Sequence, residues 1–283
     1  MYAARAVGLQ ALASGSASRA GARRGYEDLV AHVTVDDTTG ALACVGTHGD
    51  VVVAAFCGSM SPLDWAIDCV VQKWTSPERV SESSAATCHL GFLAQYLGVC
   101  DGVRRAVAEE LSKAKSPKTL LVTGHSLGGG IAAMAACELA RLPEARDAHV
   151  SLITFGSPRA GNLRFARCVA EAVQGRAYRV QNDFDIITTV PPMCFNYAHV
   201  PGRLLRLGLS GGSTWERGHE HEWLGDTARR LVGALKLRLG VYEHMPWRYF
   251  WSVQQYATPG PWNPPHGTSA LAAAHLITST CWL

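Results

Sequence analysis

Thr119-Leu120-Leu121-Val122-Thr123-Gly124-His125-Ser126-Leu127-Gly128 is the stretch whose reading decides the fold. The first five residues are apolar or β-branched and read as a buried strand. Ile131 to Leu139, I-A-A-M-A-A-C-E-L, reads as a helix. Between them lies G-x-S-x-G, in the strand–turn–helix setting that gives that motif chemical meaning. A turn this sharp strains the serine backbone, and glycines on either side let strand and helix approach. It lifts the Ser126 hydroxyl off the end of the sheet. The helix behind it aims free N–H groups at the same point. The plain reading is a Gly-rich turn that happens to hold a serine; the strand before and the helix after favour a nucleophile.

The chain on both sides repeats the pattern. Val51 to Phe56 is a continuous apolar run, as expected of a strand covered on both faces. Ser151 to Phe155 and Ala177 to Val180 are two more strands. A helical region opens over 89–96 and continues over 99–115, and further helices are expected over 161–173 and 224–239. His32 to Val35, the turn 36–40 and Ala41 to Gly46 form a hairpin, and 203–209 with 213–216 flank a second around Gly211-Gly212. Strands alternating with helices imply an α/β fold, with a mostly parallel central sheet and helices on both faces. Residues 62–68 suit a short amphipathic helix, with Leu63, Trp65 and Ile67 among acids. The polar, Ser-rich run 72–86 reads as a loop, so the pair has the makings of a lid. With no repeat and no linker, one domain is expected over 26–256. Residues 257–283 form an irregular, Pro- and Gly-rich extension. Residues 1–25 hold Arg5, Arg19, Arg23 and Arg24 but no acid, which suits a disordered or targeting tail.

Composition removes several classes. A formal net charge of +3 with no extended basic face argues against a nucleic-acid partner. No apolar run reaches the roughly 18 residues of a membrane span. His219-Glu220-His221-Glu222 lacks H-E-x-x-H spacing, so no metal is expected, and no cofactor motif is present. The nine cysteines form no C-x-x-C pair, and several lie in apolar runs. They read as buried free thiols in a reducing compartment, with a single bridge left open. Together with the tail, this gives an intracellular protein, cytoplasmic or organellar.

A serine nucleophile needs a base, and the base needs an orienting acid. On folds of this kind they follow in the order Ser, Asp or Glu, His, beyond the carboxyl ends of the strands. The strand at 177–180 runs into Asn182, Asp183 and Asp185; Asp185 is preferred on position and Asp183 competes. For the base, His244 is preferred, in a loop between a helix and an aromatic segment. His199 also follows the acid, and His219 and His221 sit in the H-E-H-E run.

At this point the chain resembles the class 3 lipases, the fungal-lipase-like α/β-hydrolases. The matching blocks are V-V-V-A-A-F-C-G-S at 51–59 with D-W at 64–65, H-L-G-F-L-A-Q-Y at 89–96 and T-G-H-S-L-G-G-G-I-A at 123–132. They continue in order with T-F-G-S-P-R-A-G-N at 154–162, V-Q-N-D-F-D-I-I-T-T-V-P-P at 180–192, Y-A-H-V-P-G at 197–202 and E-H-M-P-W-R-Y at 243–249. One departure is Cys57, where the family commonly has Arg. The resemblance implies an α/β-hydrolase fold. It implies Ser126 as nucleophile, Asp185 as orienting acid and His244 as base, with His199 a structural neighbour. Ser59 and the Leu127 N–H fall at the oxyanion hole, and residues 60–72 at the lid. The activity implied is cleavage of lipid carboxylic esters, as in a triacylglycerol lipase, through an acyl-enzyme on Ser126. A phospholipase A1, a galactolipase, a general esterase or an inactive interaction module on the same fold are the alternatives. The implied partner is a lipid ester, and a lid implies reversible contact with a membrane or lipid-droplet surface.

Overall fold

The computed structural model describes residues 30–57, 72–114, 118–208, 213–218 and 237–256. The tail, the lid residues Leu63, Trp65 and Ile67, Ser59, His219 and His221, residues 224–236 of the expected helix and the C-terminal extension lie outside these residues. Among the described residues one large sheet carries eight strands in the order β1-β2-β3-β6-β7-β8-β9-β10. They are β1 His32–Asp36, β2 Ala41–His48, β3 Val51–Phe56, β6 Lys118–His125, β7 Ala148–Phe155, β8 Ala177–Asn182, β9 Gly202–Leu207 and β10 Ser213–Gly218. The five from β3 to β9 pair in parallel, and an antiparallel hairpin closes each side. The helices are α1 Leu90–Lys113, α2 Leu127–Leu139, α3 Leu163–Ala172, α4 Leu237–His244 and α5 Pro246–Tyr256.

Alternation along β6 explains why this strand sits at the centre. Leu120 and Val122 join the cluster that packs α1, α2 and α3 on one face. Leu121, between them, joins a second cluster with Tyr249 and Val253 of α5 on the other. Side chains of a strand alternate in direction, so an unbroken apolar run is satisfied only with both faces covered. Every residue of α2 is buried. Its single acid, Glu138, accepts from the Tyr96 hydroxyl at 2.6 Å and pairs with Arg104 at 2.9 Å. A carboxylate buried without such partners would cost several kcal/mol, roughly the stability of a small domain.

Two elements differ from the sequence reading, and one long helix agrees with it. The polar run 72–86 is not all loop: β4 (Lys73–Thr75) pairs with β5 (Thr87–His89) in a small separate sheet. Three-residue strands carry too little apolar pattern to be read. The helical region expected over 89–115 is one helix, α1, continuous through Gly98. Its Gly98 and Gly102 face the side chains of Asp36 and Thr34, so the missing Cβ atoms let the first hairpin lie against the helix. Finally, His244 is not in a loop but is the last residue of α4, because Pro246 cannot continue that helix.

The N-terminus of α1 is capped by His89, whose Nδ1 accepts from the Gly91 N–H at 3.2 Å while the ring stacks on Phe92. Burial lowers its pKa to about 4, from an ordinary 6.5. The folded chain therefore binds fewer protons here than the unfolded chain. The stability contributed by neutral His89 is complete above pH 6.5 and declines as the pH falls towards 4. In urea titrations across that window, His89→Asn, which keeps a capping acceptor, is expected to lose less stability than wild type. Equal slopes would place the acid sensitivity elsewhere.

Candidate active site

The carboxyl ends of the parallel strands bring the sequence-predicted groups together. Ser126 follows β6 directly and has φ 58° and ψ −130°, a conformation that costs energy for a residue with a Cβ. Its N–H is held by the Phe155 carbonyl at 2.9 Å, and its carbonyl accepts from the Gly129 N–H at 2.9 Å. A Cβ on Gly124 would strike the Gly128 carbonyl, and one on Gly128 would strike that of Phe56. The turn is therefore closed by backbone on backbone.

Ser126 Oγ donates to His244 Nε2 at 2.7 Å. His244 Nδ1 donates to the Asp185 carboxylate, with both oxygens at 2.9 Å. All three side chains are buried. Nδ1–H facing a carboxylate fixes the tautomer, so Nε2 presents its lone pair to the serine. Asp183, the competing acid, instead continues the β8 edge, its N–H on the Leu207 carbonyl at 3.0 Å. His199 donates from Nε2 to the Thr188 carbonyl at 2.9 Å, inside the loop that carries Asp185. Arg159 steadies the far side of that loop, bonding the Thr189 and Pro191 carbonyls. The Leu127 N–H is the first of α2, where the helix supplies no acceptor.

Two residues of the site were not singled out from the sequence. Tyr249 of α5 donates its hydroxyl to Asp185 Oδ2 at 2.5 Å and accepts from the Asn182 N–H at 3.1 Å. Burial, and then the neighbouring Asp185 charge, pushes its pKa well above the usual tyrosine value, so it remains a donor. With the Ile187 N–H at 2.8 Å and His244, the Asp185 carboxylate has three donors. The signal was a tyrosine within a buried aromatic segment, since a buried phenol needs a polar partner. Gly156, at φ +55°, is the other: a Cβ there would lie 2.7 Å from Asp185 Oδ2.

Among the described residues, one group of side chains has the spacing to hold a cation. His32, Glu109 and Glu110 bring their ligand atoms within 4.8 Å of one another. Lys113 Nζ already sits among them, 2.6 Å from Glu109 and 3.0 Å from Glu110.

The family profile for Lipase (class 3) matches residues 53–195, about half of the chain. The chain belongs to the class 3 lipases. It is similar to the secreted mono- and diacylglycerol lipase 1 of Fusarium solani, 38% identical over 39% of this chain and 32% of that protein. It is also similar to the chloroplastic phospholipase A1-Igamma1 of Arabidopsis thaliana, 27% identical over 68% of this chain and 41% of that one. The matched regions thus span under half of either relative. The structure of Rhizomucor miehei triacylglyceride lipase superposes with a TM-score of 0.62 at 25% identity, covering 70% of this chain and 74% of that one. The α/β-hydrolase fold expected from the sequence is therefore the fold observed.

The intracellular assignment is corrected by these comparisons, because the Fusarium solani relative is a secreted lipase. The physical reason is that free cysteines here report packing and not compartment. Cys44, Cys88, Cys100 and Cys137 are buried, and burial pushes the Cys44 and Cys137 thiols up to about 12. Such thiols are inert small apolar groups in any compartment. Cys57, moreover, is disulfide-bonded.

Tyr249→Phe removes one donor from the buried Asp185 anion. Hydrogen bonds to charged groups are worth about 1.5–3 kcal/mol, so labelling of Ser126 by a fluorophosphonate should slow by about tenfold or more. Labelling at the wild-type rate would show that Asp185 does not depend on this bond.

Proposed function

We propose that this protein is a serine hydrolase that cleaves carboxylic esters of lipids, in the manner of a triacylglycerol lipase. The observation that carries the reading is the buried relay from Asp185 through His244 to Ser126, at 2.9 Å and 2.7 Å. As Ser126 Oγ attacks the ester carbonyl, His244 Nε2 takes its proton and then hands it to the leaving alcohol. Water repeats the sequence on the acyl-enzyme. Asp185 holds the imidazole tautomer and stabilises the imidazolium. The Leu127 N–H is one donor to the tetrahedral oxyanion, and Ser59 is our candidate for the second. One such donor typically contributes ~2.7–4 kcal/mol to the transition state. No metal or cofactor enters this chemistry.

In this reading residues 26–256 form the catalytic unit, with Leu63, Trp65 and Ile67 in a lid. Lipid esters are presented at an interface, so the protein must meet a membrane or droplet surface reversibly. Trp247 and Trp251, one helical turn apart on α5, are both more than half exposed and support that contact. Among the described residues no helix is long and apolar enough to cross a membrane.

A second reading, hydrolysis of a polar glycerolipid, is favoured by the phospholipase A1 relative, which matches 68% of the chain against 39% for the secreted lipase. An inactive interaction module would have no need of a buried hydrogen-bonded triad. The test is hydrolysis of triolein, phosphatidylcholine and a galactolipid side by side, in wild type and Ser126→Ala. Triolein cleavage, lost at least a thousandfold in Ser126→Ala, is the expected result. Preference for phosphatidylcholine or galactolipid would move the substrate to the second reading. No cleavage of any ester would overturn the enzymatic one.

A further inference from the structure

The catalytic histidine is the last residue of an eight-residue helix, α4, and a helix end leaves its final carbonyls without intrahelical donors. Pro246 aggravates this, since it has no N–H to return to the Tyr242 carbonyl. The Met245 N–H takes that carbonyl instead, at 3.1 Å. The next two are taken by side chains from strand ends. Asn182, the last residue of β8, donates from Nδ2 to the Glu243 carbonyl at 2.7 Å. His125, the last residue of β6, bonds the His244 carbonyl through Nε2 at 2.8 Å. A carbonyl can only accept, so this His125 nitrogen carries the proton. The His125 ring also lies against the His244 ring, with centroids 4.7 Å apart and planes inclined by 31°.

We infer that His125 and Asn182 are positioning residues that clamp the end of α4 and set where the His244 imidazole stands. Each clamp point is tied to another member of the triad. His125 directly precedes Ser126, and Asn182 lies three residues before Asp185. The two strand ends that deliver nucleophile and acid thus also grip the backbone of the base. All the groups in the clamp are buried, so neither bond competes with water. The inference rests on the hydrolase reading above for its kinetic consequence but not for its geometry.

The experiment pairs kinetics on a soluble p-nitrophenyl ester with side-chain NMR. His125→Leu keeps the bulk and removes the donor, whereas His125→Gln returns an N–H near the Nε2 position. Asn182→Asp replaces the donor with an acceptor facing the Glu243 carbonyl. In His125→Leu and Asn182→Asp, kcat should fall at least tenfold while KM stays within about twofold. His125→Gln should recover to within about threefold of wild type. Near-UV circular dichroism confirms that each variant is folded. A folded His125→Leu with wild-type kcat, or a folded His125→Gln as slow as the Leu variant, would overturn the clamp. If His125→Leu does not fold, the Gln and Asp variants decide alone: recovery in the first with loss in the second supports the clamp, and any other pairing overturns it. Nitrogen-15 spectra of the wild type decide the geometry separately. They should show His125 protonated at Nε2, and protonation at Nδ1 alone would overturn the clamp. Wild type without esterase activity would sink the hydrolase reading and leave the NMR arm standing.

Discussion

The backbone of Ser126 is the constraint on which the rest depends. A residue with a Cβ is held at positive φ between a strand and a helix, and nothing local makes that conformation favourable. It persists because its surroundings leave no alternative. β6 is locked between β3 and β7 in parallel register, α2 is buried along its whole length, and glycine backbones close the turn. The apolar burial that covers β6 on both faces, and α2 on one face of the sheet, offsets the strain. The sheet is thus the source of the reactive geometry as well as its support.

The same sheet solves a second problem, the burial of an anion. Asp185 is inaccessible to solvent, and a carboxylate so placed must be neutralised by donors. It has them from three directions: its own loop through Ile187, α4 through His244 and α5 through Tyr249. The loop is in turn pinned by Arg159 and His199. The charge therefore ties its own loop to α4 and α5. Gly156 leaves the space that makes this crowding achievable.

How much of this was legible follows from the range of each interaction. The strand–turn–helix around Ser126 is local, and its residues announce it. The central strands are legible because burial on two faces demands unbroken apolar runs. Asp185 and His244 are reached from chain order and strand ends, with help from the family blocks around them. What could not be read depends on distant partners. Gly98 and Gly102 of α1 gain their meaning only from Asp36 and Thr34, which lie against them. The three-residue strands β4 and β5 are held by each other and by the segment around Gly161, all distant in the chain or short in pattern. Tyr249 reads as one more aromatic until Asp185 is found 2.5 Å from its hydroxyl. The cysteines misled for a related reason: burial, which the fold decides, controls their state as much as the compartment does.

We propose that Ser126, His244 and Asp185 act as one acyl-transfer unit. The most direct measurement is a crystal structure of the protein after reaction with an alkyl p-nitrophenyl phosphonate. Phosphorus should be bonded to Ser126 Oγ, with the phosphoryl oxygen on the Leu127 N–H. His244 Nε2 should lie within hydrogen-bond reach of an ester oxygen, with its Nδ1 still on Asp185. An adduct on another residue, or one on Ser126 with His244 parted from Asp185, would contradict it.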